Sequence, residues 1–106
     1  MSQIEENVIV ALQEIVFSPE IQEELATIIR ERASVGLQKY GTTLADNNAP
    51  TPERLQHAIE ELLDAANYLE WAGTDLAPEI EPIRYWSLVG ACQLLDLKKK
   101  IENNLG

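Results

Sequence analysis

The chain has little of what binds soft metals or staples small folds. Its 106 residues include one cysteine, Cys92, and one histidine, His57. A lone cysteine excludes an intrachain disulfide and any cysteine-rich zinc module, and a lone histidine excludes a histidine-based metal cluster. Glycine and proline number five each, too few for a low-complexity or fibrous chain. No apolar run nears the roughly 20 residues of a membrane-spanning helix, so no membrane partner is expected. Residues 1–16 carry Glu5, Glu6 and Glu14 and no basic cluster, unlike a secretory signal; the expected location is cytoplasmic. Positive charge is scarce as well. Eight basic residues stand against 18 acidic ones, giving a net charge of −10. Such a surface repels a phosphate backbone, so nucleic acid is not an expected partner. It would also repel a small phosphate substrate, unless cations convert part of the acidity into a binding site.

What is present is helical periodicity. The length suits one domain, covering residues 1–106. Apolar residues at Ile4, Val8, Leu12 and Ile15 predict a first helix over residues 4–16. Ser18-Pro19-Glu20 then reads as a cap, a proline at the first helical position and an acid at the positive helix end. The second helix is expected over residues 19–40, with Ile21, Leu25, Ile28 and Val35 as its stripe and Gly41 as its terminator. Gly36 inside it is expected to permit a close approach by a neighbour. Thr51-Pro52-Glu53 repeats the starting signal for a third helix over residues 52–72. A linker with Pro78 and Pro82 leads to a fourth over residues 82–103, where Lys98, Lys99 and Lys100 suit the negative helix end. Cys92 reads as a small core residue of that helix. No segment alternates like a strand. The expected fold is therefore an all-α, four-helix bundle-like single domain.

The third helix has two faces. At about 100° per residue, Leu55, Ala58, Ile59, Leu62, Ala66 and Leu69 share the core side. Asp64 points away from it, with Glu60 and Glu61 one turn earlier and Asn67 and Tyr68 one turn later. Like charges at this spacing repel, and no lysine or arginine occurs between Gln56 and Gly73 to relieve them. A hard divalent cation such as Mg²⁺, with Mn²⁺ as a substitute, would. The plainer reading is a solvated acidic face. On the second helix Glu24, Glu31 and Gln38 recur every seven residues beside the stripe. Were the second and third helices to pack antiparallel, Glu31 would face the acid cluster, an arrangement that bundles use for metals.

Two segments in order carry a family resemblance. "ERASVGLQKYGTTL", residues 31–44, and "HAIEELLDAANYLE", residues 57–70, together resemble the short, phage and mobile-element type of MazG-like protein. That branch belongs to the all-α nucleoside triphosphate pyrophosphohydrolase superfamily. The matching positions are Glu31, Arg32, Gly36, Lys39, Tyr40 and Gly41, then Glu60, Glu61, Asp64, Tyr68 and Leu69. The resemblance implies a homodimer or tetramer holding Mg²⁺ on helix carboxylates. It implies hydrolysis of a nucleoside triphosphate, often a deoxy one, to the monophosphate and pyrophosphate. Glu61 and Asp64 then form the catalytic metal pair, with Glu60 and Glu31 as completing ligands. Longer relatives carry a second carboxylate pair, for which this chain offers only Glu20 and Glu23 or a degenerate Gln93 and Asp96.

On that reading Arg32 and Lys39 are expected to contact phosphates, although for Lys39 the end of a helix explains a cation equally well. Tyr40, Asn67 and Tyr68 join them as substrate-binding candidates. Tyr68 and Trp71 either stack on a base or pack a subunit interface. His57 reads as a surface residue near the helix start. The competing class is a non-catalytic acidic helical interaction protein that keeps only the fold.

Overall fold

The computed structural model describes residues 2–73 and 77–105. They form four α-helices, and no strand occurs among the described residues: α1 Gln3–Gln13, α2 Pro19–Tyr40, α3 Thr51–Ala72 and α4 Ala77–Leu105. The chain divides into two compact units, residues 1–48 and 49–106. In the first, α1 packs on α2; in the second, α3 packs on α4.

In the first unit, α1 stops three residues short of the expected end. Its last turn tightens into i→i−3 bonds, Glu14 N–H to the Ala11 carbonyl and Ile15 N–H to Leu12, both 3.2 Å. The Gln22 amide of α2 then donates to the Leu12 and Ile15 carbonyls, at 3.2 and 2.5 Å. The Leu12 carbonyl thus takes a second donor beside the Ile15 N–H, and the Gln22 side chain ties α2 to the end of α1. Ile15 consequently lies outside the helix. The inward set on α1 is Glu5, Ile9 and Leu12, not the expected Ile4, Val8, Leu12 and Ile15; Ile9 is 2% exposed, while Ile4 and Val8 are exposed. The stripe of α2 is displaced in the same way. Gln22, Ala26, Ile29, Ala33 and Gly36 turn inward, and Ile21, Leu25, Ile28 and Val35 remain exposed. Ala26, 2% exposed, and Ile9 are the buried residues among those described in this unit.

The ends of α2 fall where the sequence places them. Pro19 occupies the first turn and Gly41 ends the helix in the left-handed region, φ 73°, with its N–H 2.8 Å from the Leu37 carbonyl. Glycine enters that region without a Cβ penalty. Ser18 holds the N-cap position but makes no side-chain capping bond.

In the second unit, α3 and α4 form an antiparallel hairpin. Gly73 approaches Ile80, Glu70 pairs with Arg84 and Leu62 meets Gly90, so numbers rise on one helix as they fall on the other. Besides Val89 and Gly90, the half-buried or buried residues of α4 are spaced four and three apart: Ile80, Arg84, Ser87, Ala91, Leu94, Lys98 and Ile101. That is the seam spacing of helices crossing at a shallow angle. On α3 the expected core side holds at Leu55, Ile59, Leu62, Ala66 and Leu69, but Ala58 is exposed. The helix starts at Thr51, with Pro50 rather than Thr51 as its N-cap.

The fourth helix begins at Ala77, one and a half turns before the expected Pro82. Pro78 is the residue in the first turn, and Pro82 lies inside the helix. Residues 74–76 of the expected linker lie outside the described residues. The lysines at 98–100 precede the last turn, which holds no basic residue. Their partners are side chains instead: Lys98 with Glu102 at 3.5 Å and Lys100 with Asp96 at 2.8 Å. Cys92 is exposed rather than in the core, because Ala91 takes the inward position.

Candidate functional site

The acid face of α3 follows from helical geometry. Residues three and four apart neighbour one another, which places Glu60 and Glu61 beside Asp64, and Asp64 beside Asn67 and Tyr68. The core side is turned toward α4, so all five are exposed. Gln56 donates to Glu60 at 3.2 Å. Glu61 and Asp64 have no hydrogen bond or ion pair among the described residues. His57 lies at the solvent-exposed start of the face, 4.0 Å from Glu53.

The donor chemistry suits a hard cation, which takes carboxylate oxygens and keeps positions for water and phosphate. Within this unit, among the described residues, no three carboxylate, histidine or cysteine side chains close around one point. Tyr68, 65% exposed, and Trp71, 83% exposed, continue the face toward the helix end. Both present ring surface to solvent.

In the first unit, Glu31 is exposed on α2. The other candidates there divide. Arg32, Gly36 and Tyr40 line a half-open cavity of about 390 Å³. Lys39 does not line it; its ammonium lies over the Tyr40 ring, 5.3 Å from the centroid, within reach of a cation–π attraction. Gly36 has no heavy atom within 4 Å of where a Cβ would stand. It therefore leaves room on the cavity wall, whereas the sequence suggested a close approach by a neighbour.

The cavity brings in residues that the sequence did not mark. Thr42, Thr43, Leu44 and Asn47, from the segment after α2, fold back over the helix and close one side. A local turn fixes that segment: Thr43 donates to the Asp46 carboxylate at 3.1 Å and accepts from the Asp46 N–H at 3.3 Å. Such reciprocal side-chain bonding is a turn signal that Thr and Asp at this spacing carry. Glu5, from α1, also lines the cavity. Its carboxylate accepts from the Ser2 hydroxyl and, at 3.0 Å, from the Ser2 N–H. The Ser2 hydroxyl, chiefly, holds the Glu5 carboxyl below its ordinary value.

Compared with known proteins, the chain matches no family model, no curated protein and no solved structure. No helix among the described residues is long and apolar enough to cross a membrane.

Proposed function

We propose that the chain is a Mg²⁺-dependent nucleoside triphosphate pyrophosphohydrolase, cutting a nucleotide between its α- and β-phosphates. The observation that carries this reading is the α3 face, where Glu61 and Asp64 stand exposed without a cation to offset them. Glu61 and Asp64 would hold the ion, with Glu60 as a proposed further ligand and Mn²⁺ as a substitute; Glu31, in the first unit, is proposed on the family resemblance alone. A bound divalent ion supplies charge neutralisation and an acidified water. One of the carboxylates would accept the proton as water attacks the α-phosphorus and pyrophosphate leaves. Asn67 and Tyr68, on the same face, are proposed to meet the nucleotide; Arg32, Lys39 and Tyr40 of α2 are proposed as substrate-binding residues on the family resemblance alone.

Assembly as a homodimer or tetramer belongs to the same proposal. No large side chain is fully buried among the described residues, and Ile21, Leu25, Trp71 and Trp86 are all exposed. A pair of helices this poor in buried apolar volume gains stability by covering such faces.

The test is a screen of ribo- and deoxynucleoside triphosphates with Mg²⁺ or Mn²⁺, reading products. Pyrophosphate and monophosphate are expected. Orthophosphate release would overturn the position of cleavage. The exposed Tyr68 and Trp71 favour a second reading, in which this acidic, aromatic face docks a protein partner. Absence of turnover, together with no thermal shift on adding Mg²⁺ and any nucleotide, would select it.

A further inference from the structure

The cavity of the first unit has the composition of a ligand site. Sites for small molecules are concave, mostly apolar and oriented by a few polar groups. Here Ile28, Leu37 and Leu44 form the apolar part, and Arg32, Thr42, Thr43, Asn47 and the Glu5 carboxylate the polar part. The Arg32 guanidinium has no hydrogen bond or ion pair among the described residues, while the Glu5 carboxylate on the same cavity accepts from Ser2. A guanidinium presents paired donors suited to a carboxylate or a phosphate. Gly36 keeps the floor open at a cost in helix propensity, and no neighbour fills the space it leaves.

We propose that this cavity binds a small organic anion, its apolar or aromatic body against Ile28, Leu37 and Leu44 and its carboxylate or phosphate at Arg32. Thr42 and Thr43 shape the rim, their hydroxyl protons already given to the Thr43 carbonyl and the Asp46 carboxylate, so Arg32 is the charged donor that meets the head group. The site shares Arg32 with the hydrolase reading but needs neither its metal nor its reaction.

The test uses the full chain, free of divalent metal, titrated with benzoate, phenyl phosphate and neutral benzyl alcohol while amide resonances are followed by NMR. Saturable shifts at Gly36, Thr43 and Leu44 are expected with at least one of the two anions, and the stronger anion identifies the head group. Benzyl alcohol should bind at least tenfold more weakly. Arg32→Gln should reduce the anions to the level of the alcohol. Gly36→Leu, which fills the floor, should remove binding of all three with the helical circular dichroism retained. No saturable shift with either anion would overturn the proposal, as would anion binding unchanged in Arg32→Gln or in Gly36→Leu. Repeating the titration in Asp64→Asn separates this result from the fate of the hydrolase reading: binding there should equal that of the parent chain, whatever happens to turnover.

Discussion

Leu62 of α3 sets its Cδ1 methyl against the bare backbone of Gly90 on α4, where an added Cβ would stand 3.1 Å away. The contact is tight, but its moving part is the tip of a flexible side chain. Gly90→Ala is therefore expected to change stability by less than about 1 kcal/mol, helix propensity offsetting the crowding. Gly90→Leu should destabilise by about 1–3 kcal/mol, as overpacking of a seam does. Urea denaturation checks both, and adding Leu62→Ala to Gly90→Leu should recover part of the loss.

Gly36 is the opposite case, a helical glycine with open space beside it. Gly36→Ala should raise stability by about 0.5–1 kcal/mol, the helix-propensity difference alone. A melting temperature equal to or below that of the parent chain would contradict the geometry at this position.

The acid face gives stability and activity opposite signs. Asp64→Asn removes one of the like charges around Glu60 and Glu61, so the free fold should gain up to about 0.5 kcal/mol. Turnover, on the proposed reading, should nearly vanish, along with the Mg²⁺-dependent thermal shift. Substantial remaining activity would count against Asp64 as a ligand.

At the N-terminus, Ser2→Ala should cost about 0.5–1 kcal/mol near neutral pH, the usual scale for a helix cap. Its pH dependence has a defined sign. The folded Glu5 value is lowered by Ser2, so the stabilisation is present above the ordinary glutamate value. It is lost as pH falls through the folded one. The difference between parent chain and Ser2→Ala should thus shrink on acidification and stay flat on the alkaline side.

Arg84 joins α3 to α4 by pairing with both Glu70 and Glu81. Its side chain is more covered than either partner's, so the pairing exceeds an ordinary surface bridge. Arg84→Met should destabilise by about 1 kcal/mol at low salt and by less at high salt. Arg84→Lys should recover only part of this, since one ammonium cannot reproduce a forked contact.

How much of this was legible in the residues depended on the range of the cause. The ends of α2 were readable because Pro19 and Gly41 act through their own backbone angles. The acid face of α3 was equally local, since spacing along one helix decides which side chains are neighbours. The start of α4 was misplaced because Pro78 and Pro82 carry the same signal and only the first of them lies in the opening turn. The inward stripes of α1 and α2 were displaced because an exposed apolar residue and a buried one look alike in sequence. The choice of Ile9 over Val8 belongs to the packing of α1 on α2 rather than to α1 alone. The cavity was least legible. It needs the segment of Thr42 to Asn47 to fold back, and nothing in α2 announces that.

The antiparallel hairpin of α3 and α4 also bears on how quickly the second unit can form. Every seam contact joins helices that follow one another in the chain, and the closest, Gly73 with Ile80, spans a single short connection. Little loop-closure entropy is lost before packing begins, so contact order within the unit is low. Helical hairpins of this kind fold in microseconds to milliseconds. Zipping would begin at the Glu70–Arg84 end and run toward the far ends of both helices.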